Sequence, residues 1–141
     1  MIGEEMDLLK ALKISAAGMK AQGVRLRVIA ENMANANSLA AEPGGEPYRR
    51  KVITFKNVLD RTFGVRKVEI NKITVDRSDF KRKYDPAHPS ADTDGYVMMP
   101  NVNTMVEMMD MREAQRSYSA NLSVIEASKA MLMRTIDILR N

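Results

Sequence analysis

In residues 8–33, LLKALKISAAGMKAQGVRLRVIAENM, the apolar side chains fall into a single helical stripe. Leu9, Leu12, Ala16, Met19, Gly23, Leu26, Ala30 and Met33 step by three and four without interruption. That spacing keeps a seam on one face of a supercoiled helix and predicts a helix over residues 8–37. Ala16, Gly23 and Ala30 fill one of the two seam positions, so a neighbouring backbone can approach closely while each contact buries little area. Gly18 and Gly23 each lower helix propensity by up to about 1 kcal/mol relative to alanine. A helix seamed this thinly is marginal alone and requires neighbours.

The other end of the chain repeats the pattern. Met108, Met111, Gln115, Tyr118, Leu122, Ile125, Lys129, Leu132, Ile136 and Leu139 form a second seam over residues 102–140, interrupted only by Gln115 and Lys129. Polar residues in a seam weaken it but can fix register or oligomeric state. Each predicted helix is a rod of about 45–55 Å by the rise per residue. Thr104 and Glu107 have capping-box spacing at the second helix start, and Asn101 is an alternative cap one turn earlier.

Between the helices the periodicity changes. Asn35, Asn37 and Ser38, then Pro43-Gly44-Gly45-Glu46-Pro47, mark a stop and a turn. Residues 48–56 and 65–76 are rich in β-branched side chains and read as strands. Residues 84–90 are a proline-punctuated extended stretch, and Asp94-Gly95 predicts a tight turn into a short strand at Tyr96–Met99. The expected fold is mainly α with a β insertion: an antiparallel coiled-coil hairpin of the two terminal helices and a small β-rich middle. The segments are 1–37, 38–100 and 101–141, with the first and last forming the core domain.

Charge is concentrated in the middle. Residues 47–84 hold twelve Lys and Arg against four Asp and Glu, which is +8 in a chain of net charge +4. Such a surface suits nucleic acid, anionic headgroups or an acidic protein. A nucleic-acid-binding or generic scaffold coiled coil with a basic β insertion is therefore the competing reading. Tyr48, Phe55, Phe63 and Phe80 are spaced too irregularly for a stacking platform, and the strands need them as core.

Enzymatic chemistry is hard to assemble. There is no cysteine and one histidine, His88, set between Pro86 and Pro89 where a solvated loop imidazole is the default. Asp92-Thr93-Asp94-Gly95 has part of a calcium-loop spacing, but the position needing a bidentate acid falls on Asn101, so the turn reading prevails. Pro43-Gly44-Gly45 lacks the lysine of a phosphate loop. No catalytic residue, metal site or cofactor is expected. Twelve methionines and no tryptophan favour adaptable helix contacts over a rigid pocket. No run of about 18 apolar residues is present, so no membrane-spanning helix is expected. The acidic start Glu4-Glu5-Met6-Asp7 lacks the features of a cleaved secretory signal.

Two thin seams make a poor core for a lone hairpin. Packing against further copies is preferred, and an interface that does not close on itself builds a tube. The candidate helix-packing and assembly residues are the seams, namely Leu9, Leu12, Ala16, Met19, Gly23, Leu26, Ala30, Met33, Met108, Met111, Tyr118, Leu122, Ile125, Leu132, Ile136 and Leu139. Gln22, Arg25, Asn32, Asn35, Asn37 and Asn121 are polar candidates for bonds between subunits. The three helix-end asparagines can equally serve as C-caps, and Gln22 and Arg25 can equally face water.

Specific stretches carry a resemblance. Ile14-Ser15-Ala16-Ala17-Gly18-Met19-Lys20-Ala21-Gln22, Arg25-Leu26 and Ala30-Glu31-Asn32-Met33-Ala34-Asn35-Ala36-Asn37 resemble the amino-terminal signature of the bacterial flagellar rod and hook family. Met19 replaces the leucine usual after the glycine. Pro47-Tyr48-Arg49-Arg50, Tyr84-Asp85-Pro86-Ala87-His88-Pro89-Ser90-Ala91-Asp92, Gly95–Val102, Glu107-Met108 and Arg116–Asn121 are similar to its short, proximal-rod members. The resemblance covers both ends and most of the middle, least in residues 56–80. It implies a structural subunit of the flagellar drive shaft in the periplasm, exported by the flagellar type III apparatus without signal cleavage. Implied partners are further copies, other proximal-rod proteins, distal-rod subunits and the adaptor joining rod to export gate and ring. It implies no nucleic acid and no membrane insertion.

Overall fold

The structure, a computed structural model, describes residues 2–141; Met1, where the first expected segment begins, lies outside them. Helix α1 spans Ile2–Ala34 and helix α2 spans Thr104–Arg140. Between them lie strands β1 (Lys51–Asp60), β2 (Val65–Val75), β3 (Lys81–Tyr84) and β4 (Tyr96–Met99). Two long terminal helices around a β insertion match the expected class.

The element boundaries show local chemistry at work. Helix α1 begins two turns before its apolar seam, because Glu4 and Glu5 in its first turn complement the positive end of the helix dipole. It ends at Ala34 rather than residue 37, where Ala36 N–H to Met33 and Ser38 N–H to Asn35 tighten the chain into turns. The cap of α2 is Asn103, not Thr104 or Asn101: its side-chain oxygen accepts the N–H groups of Met105 at 3.1 Å and Val106 at 3.4 Å.

Strands β1 and β2 form one two-stranded sheet, joined by a turn too short for anything but an antiparallel hairpin. Asp60 holds that turn by accepting the N–H of Thr62 at 3.0 Å, and Gly64 adopts φ +65°. Strand β3 was not expected as a strand, since Lys81-Arg82-Lys83-Tyr84 lacks apolar alternation and is exposed throughout. Its antiparallel register with β4, from Lys81 opposite Met99 to Tyr84 opposite Tyr96, creates it. The Tyr84 and Tyr96 rings meet edge to face at 5.2 Å. Gly95 adopts φ +86°, which strains any side chain, and a Cβ there would crowd Tyr84 at 3.0 Å and Pro86 at 3.1 Å.

The chain divides into two units that cut across the expected segments. The first comprises the residues through Leu26, Thr54–Lys72 and Glu113–Asn141; the second comprises Arg27–Ile53 and Ile73–Arg112. In the first, the fully buried residues are Ser15, Gly18, Ala21, Ala114 and Ser128, all small. In the second they include Val28, Ile29, Val97 and Val102, together with Asn32 and Glu107.

Candidate functional site

Burial along each helix does not follow the expected seam. On α1 the buried positions are Ser15, Gly18, Ala21, Val28, Ile29 and Asn32, and Ser15, Gly18, Ile29 and Asn32 each stand one residue before an expected one. One residue turns the face by about 100°. Leu12, Met19, Gly23, Leu26 and Met33 remain half-buried at the edge of that stripe, while Leu9, Ala16 and Ala30 are exposed. On α2 the column Met111, Tyr118, Ile125 and Leu132 is half-buried. The other column moves back by one, to Glu107, Ala114, Asn121, Ser128 and Thr135, spaced by seven. Met108, Leu122, Ile136 and Leu139 then face outward, as do Gln115 and Lys129, whose polarity no longer interrupts anything. Toward the outer ends of the helices the buried positions are small (Ser15, Gly18, Ala21, Ala114 and Ser128), and apolar periodicity is blind to packing by smallness.

A close approach does occur, but at Gly18. A Cβ there would stand 2.7 Å from Asn121 Nδ2, whereas one on Gly23 meets only the Tyr118 ring at 4.0 Å. The Asn121 side chain thus packs against the α1 backbone at Gly18. Arg25 reaches Glu113 at 3.7 Å and donates to Gln22 at 3.4 Å.

In the second unit a lattice of polar bonds ties the end of α1 to the start of β1. Asn32, 1% exposed, donates its amide to Lys51 O at 2.9 Å and accepts Lys51 N–H at 2.9 Å. It thereby stands in for a neighbouring strand, and the Tyr48 hydroxyl donates to the same oxygen at 2.8 Å. These bonds occupy Asn32 within the chain. Asn35 takes the capping role, donating to Glu31 O at 2.8 Å, and Asn37 is exposed.

Beside it, Arg50 faces three carboxylates. Its Nε donates to Glu107, and its terminal nitrogens lie 3.5 Å from Asp76 and 3.8 Å from Asp110. Burial opposes the Arg50 charge, yet the bond and charge of Glu107, aided by Asp76 and Asp110, raise its pKa further. The Ser78 backbone and hydroxyl, with Arg50, hold the Asp76 carboxyl below its ordinary value. Asn101 accepts Arg50 N–H at 2.7 Å and donates to Asp76 O at 3.0 Å, which explains why it is no helix cap. Arg49 donates to the Asp76 and Ser78 carbonyls and stacks 4.2 Å over Phe80. None of these bonds has a helical or alternating signature, so periodicity could not have found them; Pro47-Tyr48-Arg49-Arg50 was visible only as a family stretch.

Further side-chain bonds close the turns of the second unit. His88 Nδ1 accepts the Ser90 N–H at 3.0 Å, and Ser90 anchors the 38–47 loop by donating to Ala40 O at 3.1 Å. Asp92 Oδ1 accepts the N–H groups of Asp94 and Tyr96, closing the turn that a calcium loop would leave open. Among the described residues no three His, Asp or Glu converge to hold a metal ion, and no helix is long and apolar enough to cross a membrane. Half of the twelve basic residues in 47–84 (Arg49, Arg50, Lys51, Lys67, Lys81 and Arg82) bond to carboxylates or carbonyls of the chain itself.

What is left open is apolar. Helix α2 exposes Met105, Met109, Met131, Met133 and Ile138, and α1 exposes Ile2, Met6 and Leu9. Large apolar side chains exposed in this number along two helices suit contact with other chains.

Known proteins resolve what kind. Residues 93–138 match the family described as flagellar basal body rod FlgEFG protein, C-terminal. The chain is similar to the flagellar basal-body rod protein FlgC of Agrobacterium fabrum, with 52% identity over 96% of this chain and 98% of the relative. It is also similar to FlgC of Bacillus subtilis (37%, 94% of this chain, 99% of the relative) and of Salmonella typhimurium (36%, 94% and 98%). These relatives lend no support to a nucleic-acid-binding role. The chain belongs to the FlgC family of flagellar basal-body rod proteins and is a structural subunit of that rod.

Proposed function

We propose that the chain polymerises through its two terminal helices, paired as an antiparallel coiled-coil hairpin, into the proximal rod. Stacked hairpins enclose the export channel, and the β-rich middle packs outside them against adjacent subunits. The rod transmits torque from motor to hook through many moderate contacts spread along the helices. Its partners are further copies, the other proximal-rod proteins, distal-rod subunits and the adaptor at the export gate and ring. The chain reaches the periplasm through the flagellar type III apparatus without signal cleavage, inserts in no membrane, binds no cofactor and catalyses no reaction.

The observation that carries this reading is the outward-facing apolar surface on both helices of a chain matched end to end by rod proteins. Lone hairpins do not leave such surface uncovered, whereas subunits completed by neighbours do. The seam residues Leu9, Ala16, Ala30, Met108, Leu122, Ile136 and Leu139, exposed in the single chain, are the assembly contacts in this reading. An image of the intact basal body that traces this chain tests it. Both terminal helices should lie innermost with their apolar rows against adjacent helices; helices lying outside the β-rich middle would overturn it.

A further inference from the structure

Within the first unit, α1 and β2 border a groove of about 460 Å³. Its floor is apolar: Ala16, Ala17 and Ala21 from the helix, Val68 and Ile70 from the strand. Its rim is basic, with Lys13, Lys20 and Lys67 against a single acid, Glu69. Lys67 is already held, 3.6 Å from Asp60 and 3.8 Å from Glu69. Lys13 lies over the Phe63 ring at 5.1 Å, a contact that fixes its side chain without neutralising it, and Lys20 is exposed. The groove therefore presents two exposed lysines beside an apolar trough, Lys20 and Lys13, the second sharing the field of Asp60.

The chain carries a segment with the opposite character. The first two turns of α1 contain Glu4, Glu5 and Asp7 and no basic residue before Lys10. Ile2, Met6 and Leu9 share one face of those turns and are 81%, 39% and 37% exposed. This segment cannot fill the groove of its own molecule. It lies on the same continuous helix as Ala17, about 18 Å away along the axis by the rise per residue. A copy of it that occupies the groove must come from another molecule.

We propose that the groove receives the first two turns of α1 from a second copy of the chain. Ile2, Met6 and Leu9 of the incoming copy lie on the alanine, valine and isoleucine floor, and Glu5, which flanks that face, meets the lysine edge formed by Lys13 and Lys20. This is an amphipathic helix seated in a groove, with charge setting its register. The contact joins two different surfaces, so it is head to tail and leaves each copy with one groove and one helix start to offer onward. The inference rests on the rod-subunit reading and specifies one of its contacts.

The absence of cysteine makes the test direct. Copies bearing Met6→Cys and copies bearing Ala17→Cys are expressed together in cells lacking the native gene, and basal bodies are purified and oxidised. A disulfide-linked pair of two copies is expected with the mixture and with neither variant alone. Ile2→Cys with Ile70→Cys provides a second pair should the first assemble poorly. Lys13→Glu with Lys20→Glu on the groove copy should lower the yield several-fold, and Glu5→Lys on the incoming copy should raise it again. Basal bodies that contain both variants without a copy-to-copy link overturn the proposal. So does a link from Ala17→Cys to a different protein, and both outcomes leave the rod-subunit reading standing. Basal bodies from which the chain is absent would instead remove that reading, and the proposal with it.

Discussion

The two units of the chain are held in different ways. The second buries branched apolar residues and wires them with long-range polar bonds: Asn32 to Lys51, Arg50 to Glu107, Asn101 to Arg50. Among its described residues the first buries only serine, glycine and alanine, and leaves methionine, leucine and isoleucine facing outward along both helices. Burial of a large apolar side chain contributes about 1.5–3 kcal/mol, and the first unit makes little use of it. The difference separates two tasks. One unit fixes a shape in the free chain, and the other keeps its apolar surface for neighbours.

The largest expected effect lies in the second unit. Arg50→Ala strands the buried Glu107 carboxylate, whose Oε2 already lacks a partner, and should cost about 3–5 kcal/mol in urea unfolding of the purified chain. A loss below about 1 kcal/mol would mean that the lattice does not hold this unit. Asn32→Ala comes next, at about 2–3 kcal/mol, because Lys51 loses a partner for both its N–H and its C=O in a buried place. Unfolding that begins elsewhere and is insensitive to Asn32 would break the comparison.

Acid should act on the second unit as well. Hydrogen bonds from Ser78 and the charge of Arg50 depress the Asp76 pKa, and backbone bonds from Tyr96 and Asp94 with Arg82 depress that of Asp92. A carboxylate with a depressed folded pKa adds stability above its unfolded value, about 3.9, and loses it as pH falls through the folded one. Stability should thus hold from about pH 7 to 5 and decline below about pH 4. Asp76→Asn should lower the neutral-pH value and flatten the acid decline, which unfolding titrations across pH would show.

The smallest effect on the free chain, and the largest on assembly, is expected at Gly23. With only Tyr118 near, Gly23→Leu should shift free-chain stability by about 1 kcal/mol or less, helped by better helix propensity. Rod assembly should nevertheless fail if a helix of another subunit lies against this position. Normal swimming with Gly23→Leu would remove the close-packing argument there. Gly18→Ala sharpens the contrast, since its Cβ must displace the Asn121 amide within the chain.

What the sequence made legible follows from the physics of each signal. Helices of this length, the β insertion and the Asp94-Gly95 turn all came through, because periodicity and turn chemistry are local. The intrachain stripe did not, since Ser15, Gly18, Ala114 and Ser128 pack by smallness and carry no hydrophobic weight. Strand β3 was hidden because its pairing to β4, not its own residues, makes it a strand. The lattice of Asn32, Arg50 and Glu107 joins residues 19 and 57 positions apart, beyond any local pattern. The family stretches contained Asn32, Tyr48, Arg50 and Glu107 by position but not which of them bond to one another.

Amide hydrogen exchange compared between the purified chain and intact basal bodies tests the division most directly. In the free chain, amides in the first two turns of α1 and the last two turns of α2 should exchange rapidly, while those around Asn32, Lys51 and Asp110 stay protected. On assembly the helix ends should become protected and the second unit should change little. Strong protection throughout both helices in the free chain would contradict the account.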